Sequence, residues 1–100
     1  MTVNTNKDGS KLVISAEGKL GSTAAPELEA AVKSNISGIT ELVFDFEQLE
    51  YMASAGLRVI MSAAKVMRKQ GSMKIINVSQ PVMDVFTFTG MADVLDIEPV

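Results

Sequence analysis

Cysteine and histidine are both missing from the chain of 100 residues. Without cysteine the chain can form no disulfide, no thiolate ligand for zinc and no thiol nucleophile. Without histidine it lacks the commonest general base and the commonest metal ligand of proteins. Both absences argue against hydrolytic and metal-binding activities, so we expect no catalytic residue, no metal site and no cofactor.

Long apolar runs and an excess of positive charge are also missing. No apolar run approaches the roughly 18 residues of a membrane-spanning helix, and the N-terminal MTVNTNKDGSK lacks the regions of a signal peptide. We therefore expect a cytoplasmic protein without membrane contact. Nine lysines and arginines against twelve acidic residues give a net charge of -3, which argues against nucleic acid as the main partner. We interpret the cluster of Lys65, Arg68 and Lys69 as the solvated end of a helix.

The order of apolar patterns indicates one domain with strands and helices in alternation. Asp8 and Gly9 form a turn signal between two short runs, which predicts an opening β-hairpin. Apolar spacings of three and four predict a helix in TAAPELEAAVKSN, a turn followed by the longest helix in the stretch from Glu50 to Gly71, and a helix after Ser79. Gly71 suits the glycine position just after a helix, and Ser79 suits an N-cap. ELVFDF and MKIINV read as strands, and DVLDIEPV as a short strand or extended end.

This alternation predicts an α/β fold, namely a mixed sheet of four or five strands with three to four helices packed on it. ELVFDF should lie in the interior of that sheet. Functional groups in such folds gather where strands lead into helices, and Ser54 occupies one of these junctions.

Ser54 has two readings from sequence chemistry alone. The simpler one is an N-cap whose hydroxyl accepts a backbone N–H at the start of the long helix. The second is a nucleophile in a tight strand-to-helix turn, for which the usual pattern is G-x-S-x-G. Here the stretch is MASAG, and no imidazole exists to take the hydroxyl proton, so a hydrolase is disfavoured. Asp45, with no second ligand at a recognisable spacing, is expected to cap a turn.

The stretch VFDFEQLEYMASAGLRVIMSAAKVMRKQG strongly resembles the STAS domain family in its free-standing bacterial form, the anti-sigma factor antagonists. EGKLGSTAAPELEAAV looks like the entry to the family's first helix, and VMDVFTFTGMADVLDI like its last helix and strand. The resemblance covers nearly the whole chain, so residues 1–100 are expected to form a single STAS domain with a STAS-like mixed sheet.

The resemblance implies an anti-anti-sigma switch. Such a protein binds an anti-sigma factor kinase when unphosphorylated and releases it on serine phosphorylation, thereby controlling sigma-factor-dependent transcription. Carried over by position, Ser54 is the phosphorylated serine, a serine phosphatase is a further candidate partner, and a monomer is expected. The implied partner-binding residues are Gly21, Ser22, Thr23, Met52, Ala53, Ser54, Ala55, Gly56, Leu57 and Arg58.

Two positions depart from the family pattern. Ala53 stands where the family often has an aspartate before the serine, and Gly21 replaces the aspartate that usually follows the G-K-L turn. The loss of both carboxylates keeps a second hypothesis open: a constitutive STAS scaffold or interaction subunit of a sensory or lipid-transport complex, without phospho-switching.

Overall fold

A mixed sheet of six strands lies at the centre of the computed structural model, which describes residues 2–99. Three α-helices and one 3-10 turn connect the strands. In chain order the elements are β1 (Thr2–Asp8), β2 (Lys11–Leu20), α1 (Ala25–Asn35), β3 (Glu41–Asp45), β4 (Leu49–Met52), α2 (Ser54–Gln70), β5 (Ser72–Val78), α3 (Gln80–Phe88), the 3-10 turn (Met91–Asp93) and β6 (Ile97–Pro99).

The strand order is β1-β2-β3-β5-β6, and β4 pairs with β2 outside this path. The predicted hairpin is confirmed, since β1 and β2 pair antiparallel from Thr2 opposite Glu17 to Asp8 opposite Lys11. The other pairings are parallel, as expected for strands joined by helical crossovers. The mixed α/β architecture is therefore as predicted, with one strand more than the predicted four or five.

The additional strand is β4, which the sequence pattern assigned to a turn. Its four residues, Leu49–Met52, are buried only at the two ends. A strand this short shows no alternation that could be recognised without its partner. It exists because β2 is long enough to pair with β3 through its first half and with β4 through Gly18, Lys19 and Leu20.

The strand β3 lies in the interior of the sheet, between β2 and β5. Its apolar residues Leu42, Val43 and Phe44 are all buried although successive side chains point to opposite faces. Both faces of β3 are thus covered, as the near-continuous apolar run predicts.

The longest helix, α2, presents the face that its apolar spacing predicts. Leu57, Ile60 and Ala64 are buried, whereas Lys65 and Arg68 are exposed. Within residues 2–99 no helix combines the length and the hydropathy needed to cross a membrane.

Gly71 ends α2 for a reason other than the one we expected. Its φ of 173° is extended rather than left-handed, so it does not adopt the usual conformation of a glycine after a helix. A Cβ at this position would instead overlap the backbone carbonyl of Thr40. Glycine is required here by the close approach of two backbone segments.

The N-cap position of α3 is Ser79, as predicted, but its hydroxyl forms no capping hydrogen bond. The Oγ atom is buried and has no hydrogen-bond partner among residues 2–99. Ser79 therefore begins the helix through its extended backbone alone.

Candidate functional site

Two parallel strands, β2 and β4, end side by side at one edge of the sheet. Leu20 and Met52 are register partners, and the N–H of Ala53 donates to the Leu20 carbonyl at 2.9 Å. Each strand is followed by a helix, so the beginnings of α1 and α2 share this edge. We call residues 21–24 and 53–58 the rim.

Ser54 is the first residue of α2 and is exposed. The N-cap is Ala53, whose backbone is extended, and no side chain caps the helix. The expectation that Ser54 caps α2 is therefore wrong: capping requires the residue before the first helical one, and Ser54 stands one position too late. Its hydroxyl forms no capping hydrogen bond with the first turn of α2.

This geometry predicts that Ser54→Ala is nearly silent for stability. An exposed side chain without a capping hydrogen bond contributes little, and alanine has a slightly higher helix propensity than serine. We expect the free energy of unfolding to change by no more than about 0.5 kcal/mol, as measured by urea denaturation followed by circular dichroism. A loss above about 1 kcal/mol would show that the hydroxyl does support the helix.

Gly56 packs the start of α2 tightly against the two strand ends. A Cβ at Gly56 would lie 2.6 Å from Cγ of Leu20 and 3.1 Å from Cγ of Met52. Both neighbours are fully buried side chains of the core, so the glycine sets how close the helix can come to the sheet. Gly56, two residues after Ser54, therefore has a packing role that positions the serine.

Gly21 forms the other half of the rim. Its carbonyl accepts hydrogen bonds from the N–H groups of Ala24 at 3.2 Å and Ala25 at 2.9 Å, which starts α1. A Cβ at Gly21 would meet no atom within 4 Å. An aspartate side chain would therefore fit at Gly21 without a clash at its Cβ, but the chain has no carboxylate there.

The structure brings the predicted partner-binding residues together on the rim but divides them by exposure. Exposed residues are Ser22, Thr23, Ser54 and Arg58, and half-buried ones are Gly21, Ala53 and Ala55. The remaining three, Met52, Gly56 and Leu57, are buried beneath the surface that a partner would contact, and their part in partner binding stays a prediction. They support the rim from the core because the α2 face that carries Gly56 and Leu57 packs on the sheet.

A shallow cleft of about 230 Å³ separates the beginnings of α1 and α2. Ser22, which precedes α1, and Pro26 in its first turn line one side, and Ala55, Arg58 and Ser62 of α2 line the other. The small side chains Ser22 and Ala55 leave this part of the rim open to a protein surface.

Asp45 has the structural role that its position at a strand end predicts. Its Oδ1 accepts hydrogen bonds from the backbone N–H of Glu47 and from Nδ2 of Asn77, both at 3.1 Å. The second partner, Asn77, was not predicted from the sequence. Its backbone is left-handed, with φ 58°, a conformation that asparagine tolerates better than most residues. Over the described part of the chain no group of three or more acidic residues is arranged to hold a metal ion.

We compared the sequence of this fold with models of known protein families. A family model described as the STAS domain matches residues 2–100. The chain belongs to the STAS domain family.

Among its STAS relatives is the anti-sigma-B factor antagonist of Bacillus subtilis. The two sequences are 26% identical over 98 residues, which cover 97% of this chain and 90% of the relative. Its name describes that relative as an antagonist of the anti-sigma-B factor.

Solved STAS structures share the fold. An anti-sigma factor antagonist from Mycobacterium paratuberculosis has a TM-score of 0.90 at 20% identity and matches 99% of this chain and 86% of its own. The Bacillus cell fate determinant SpoIIAA in its phosphorylated form has a TM-score of 0.76 at 21% identity, with 96% and 90% of the two chains covered. At these identities the likeness concerns the fold alone.

Proposed function

We propose that the protein is an anti-sigma factor antagonist controlled by phosphorylation of Ser54. Unphosphorylated, it binds an anti-sigma factor that is also a serine kinase, and so frees a sigma factor for transcription. Phosphorylated by that kinase, it releases the anti-sigma factor, and a serine phosphatase restores the binding form. The single observation that supports this most is the exposed, uncapping Ser54 at the start of α2 in a STAS chain.

The beginning of α2 can accept a phosphate on Ser54 without loss of the fold. The first N–H groups of a helix have no intrahelical acceptor, and the helix dipole favours negative charge at this end. Arg58 follows Ser54 by one turn on the same face and is exposed, and the first turn of α2 holds no acidic side chain. A phosphate of about -1.5 to -2 charges therefore meets donors and a cation here.

Release follows from the surroundings of Ser54 on the rim. The neighbours Ala53 and Ala55 are small and half-buried, so a partner surface can approach the hydroxyl closely. A docked surface would have to cover the new charge and remove its water, which costs several kcal/mol unless the partner supplies compensating groups. Phosphorylation would then weaken the complex while the antagonist stays folded.

A second candidate is a constitutive STAS scaffold or interaction subunit of a sensory or lipid-transport complex. It is favoured by the absence of both family carboxylates, since Ala53 and Gly21 hold the positions where they would stand. Gly21 has the space for a carboxylate and does not have one. In this alternative the rim binds its partner regardless of ATP, and Ser54 stays unmodified.

The test combines binding and intact mass. The purified protein is incubated with the purified anti-sigma factor kinases of its source organism, with ADP or with ATP and magnesium. We expect a stable complex with ADP, and with ATP the loss of that complex together with a mass increase of one phosphate that Ser54→Ala abolishes. Binding that is equal with both nucleotides, without any mass change, would support the scaffold instead.

A further inference from the structure

Positive charge is segregated on one helix of an acidic chain. Four of the nine lysines and arginines lie on α2, and none of the twelve acidic residues does. Three of these cations, Lys65, Arg68 and Lys69, are exposed in its last two turns. The helix dipole favours cations only in the last turn, so it accounts for Arg68 and Lys69 and leaves Lys65 without an explanation.

Among the residues that the structure describes, no acidic side chain forms an ion pair with a cation of α2. The ion pairs within residues 2–99 use Lys11 with Glu41, Lys33 with Glu29 and Lys74 with Glu98, so each of these pairs lies on other elements. The exposed charge on α2 therefore remains available to a molecule from outside.

An apolar seam runs beside these cations. Val66 is 40% exposed, which makes it the one large exposed apolar side chain of α2, and it lines two adjoining clefts. The first, about 80 Å³, lies between α1 and α2 and includes Val32, Ile36 and Val59. The second is not enclosed and is an open part of the α2 surface, formed by Lys65, Arg68, Lys69 and Gln70 beside Val66. We call Val66 with Val59, Ile36 and the three cations the basic groove.

The floor of the basic groove is held in place by one side chain. Nε2 of Gln70 donates to the carbonyl of Ile36 at 2.8 Å and to that of Ile39 at 2.7 Å. These bonds fasten the end of α2 to the connection between α1 and β3. A surface that is fixed before binding loses less conformational entropy when a partner docks.

We propose that the basic groove binds an amphipathic helix of a partner protein, with acidic side chains beside an apolar stripe. Such a helix would lay its apolar residues along the seam at Val66 and its carboxylates against the cations. A lipid surface fits less well, because a bilayer needs a broad exposed apolar face, whereas Val66 lies at a narrow cleft between α1 and α2 that single side chains of a helix can enter. Single-stranded nucleic acid fits less well too, because α2 carries no aromatic side chain for base stacking.

The basic groove is separate from the rim. Lys65 follows Ser54 along the same helix by a distance of about 16 Å at the rise of an α-helix. The proposal therefore does not depend on the phosphorylation of Ser54, and the two surfaces can be tested independently.

The test uses a fluorescein-labelled synthetic peptide with leucines at helical spacing and glutamates flanking them, titrated with the full chain in fluorescence anisotropy. We expect saturable binding that weakens as salt rises. Lys65→Glu with Lys69→Glu should weaken it about tenfold or more. The neutral pair Lys65→Gln with Lys69→Gln, which avoids negative charge at the helix end, should weaken it less but measurably. Circular dichroism verifies that each variant is folded.

The matched control is Lys7→Glu with Lys19→Glu, which changes the net charge equally at two exposed positions of the hairpin. It should bind the peptide nearly as well as the parent. The proposal is overturned if the peptide does not bind saturably, if the control loses as much affinity, or if a peptide of scrambled order binds equally. It is also overturned if phosphatidylserine vesicles or single-stranded RNA bind more tightly than the peptide and depend on the same lysines. The same holds if sedimentation shows that the parent chain self-associates and that the groove variants abolish this self-association.

Discussion

Replacement of Gly71 by alanine is expected to lower the free energy of unfolding by about 2 to 3 kcal/mol, although Gly71 is exposed. The added Cβ would overlap the carbonyl of Thr40. That carbonyl cannot turn aside freely because it accepts a hydrogen bond from the N–H of Ser72 at 2.9 Å, at the start of β5. Relief of the overlap must therefore displace the first residues of two paired strands, β3 and β5.

The control for this prediction is Gly21→Ala. A Cβ at Gly21 meets no atom within 4 Å, and its backbone is not left-handed, so its free energy of unfolding should stay within about 0.5 kcal/mol of the parent. Both variants are compared by urea denaturation at equal slopes. Equal stability of the two would show that the segments at Gly71 and Thr40 are farther apart than the structure places them.

Ser54→Asp is expected to separate folding from partner binding. The carboxylate adds negative charge at the positive end of α2, so the free energy of unfolding should hold or rise by about 0.3 to 1 kcal/mol. Affinity for the anti-sigma factor should nevertheless fall at least tenfold, about 1.4 kcal/mol, because a docked surface must desolvate the new charge. Calorimetric titration measures the second effect, and thermal or denaturant unfolding the first.

Ser54→Asn is the matched control, since it has nearly the size of aspartate without the charge. If charge is what drives release, the asparagine variant keeps most of the affinity that the aspartate variant loses. Equal losses in both would mean that the rim excludes bulk rather than charge. Retention of full affinity by both would remove Ser54 from the interface and favour the scaffold alternative.

The parts of the fold that could be predicted from sequence are those with local patterns. The turn at Asp8 and Gly9 identifies the hairpin, and the spacing of Leu57, Ile60 and Ala64 gives the buried face of α2, because backbone geometry fixes both periods. The position of Ser54 at a strand-to-helix junction was predicted in the same way. That a partner protein binds at Ser54 stays a prediction.

The features that sequence reasoning missed depend on contacts between distant segments. Strand β4 exists through its pairing with β2, and Gln70 has its role because Ile36 and Ile39 present carbonyls to it. Capping by Ser54 failed by a single residue, since helix ends are the least determined part of a pattern. None of these contacts leaves a periodic trace in the local sequence.

The position of β2 between β1 and β3 has a consequence for how fast the rim can bind a partner. This strand is hydrogen-bonded to β1 on one side and to β3 and then β4 on the other, and Leu12, Ile14, Ala16 and Leu20 are fully buried. Amide protons on such a strand exchange with solvent only when the whole domain opens, whereas the outer amides of β1 exchange through local fluctuations. The rim starts directly after Leu20 and so follows a strand whose amides should exchange slowly. Association at the rim should therefore be limited by encounter and orientation rather than by a preceding rearrangement of this chain.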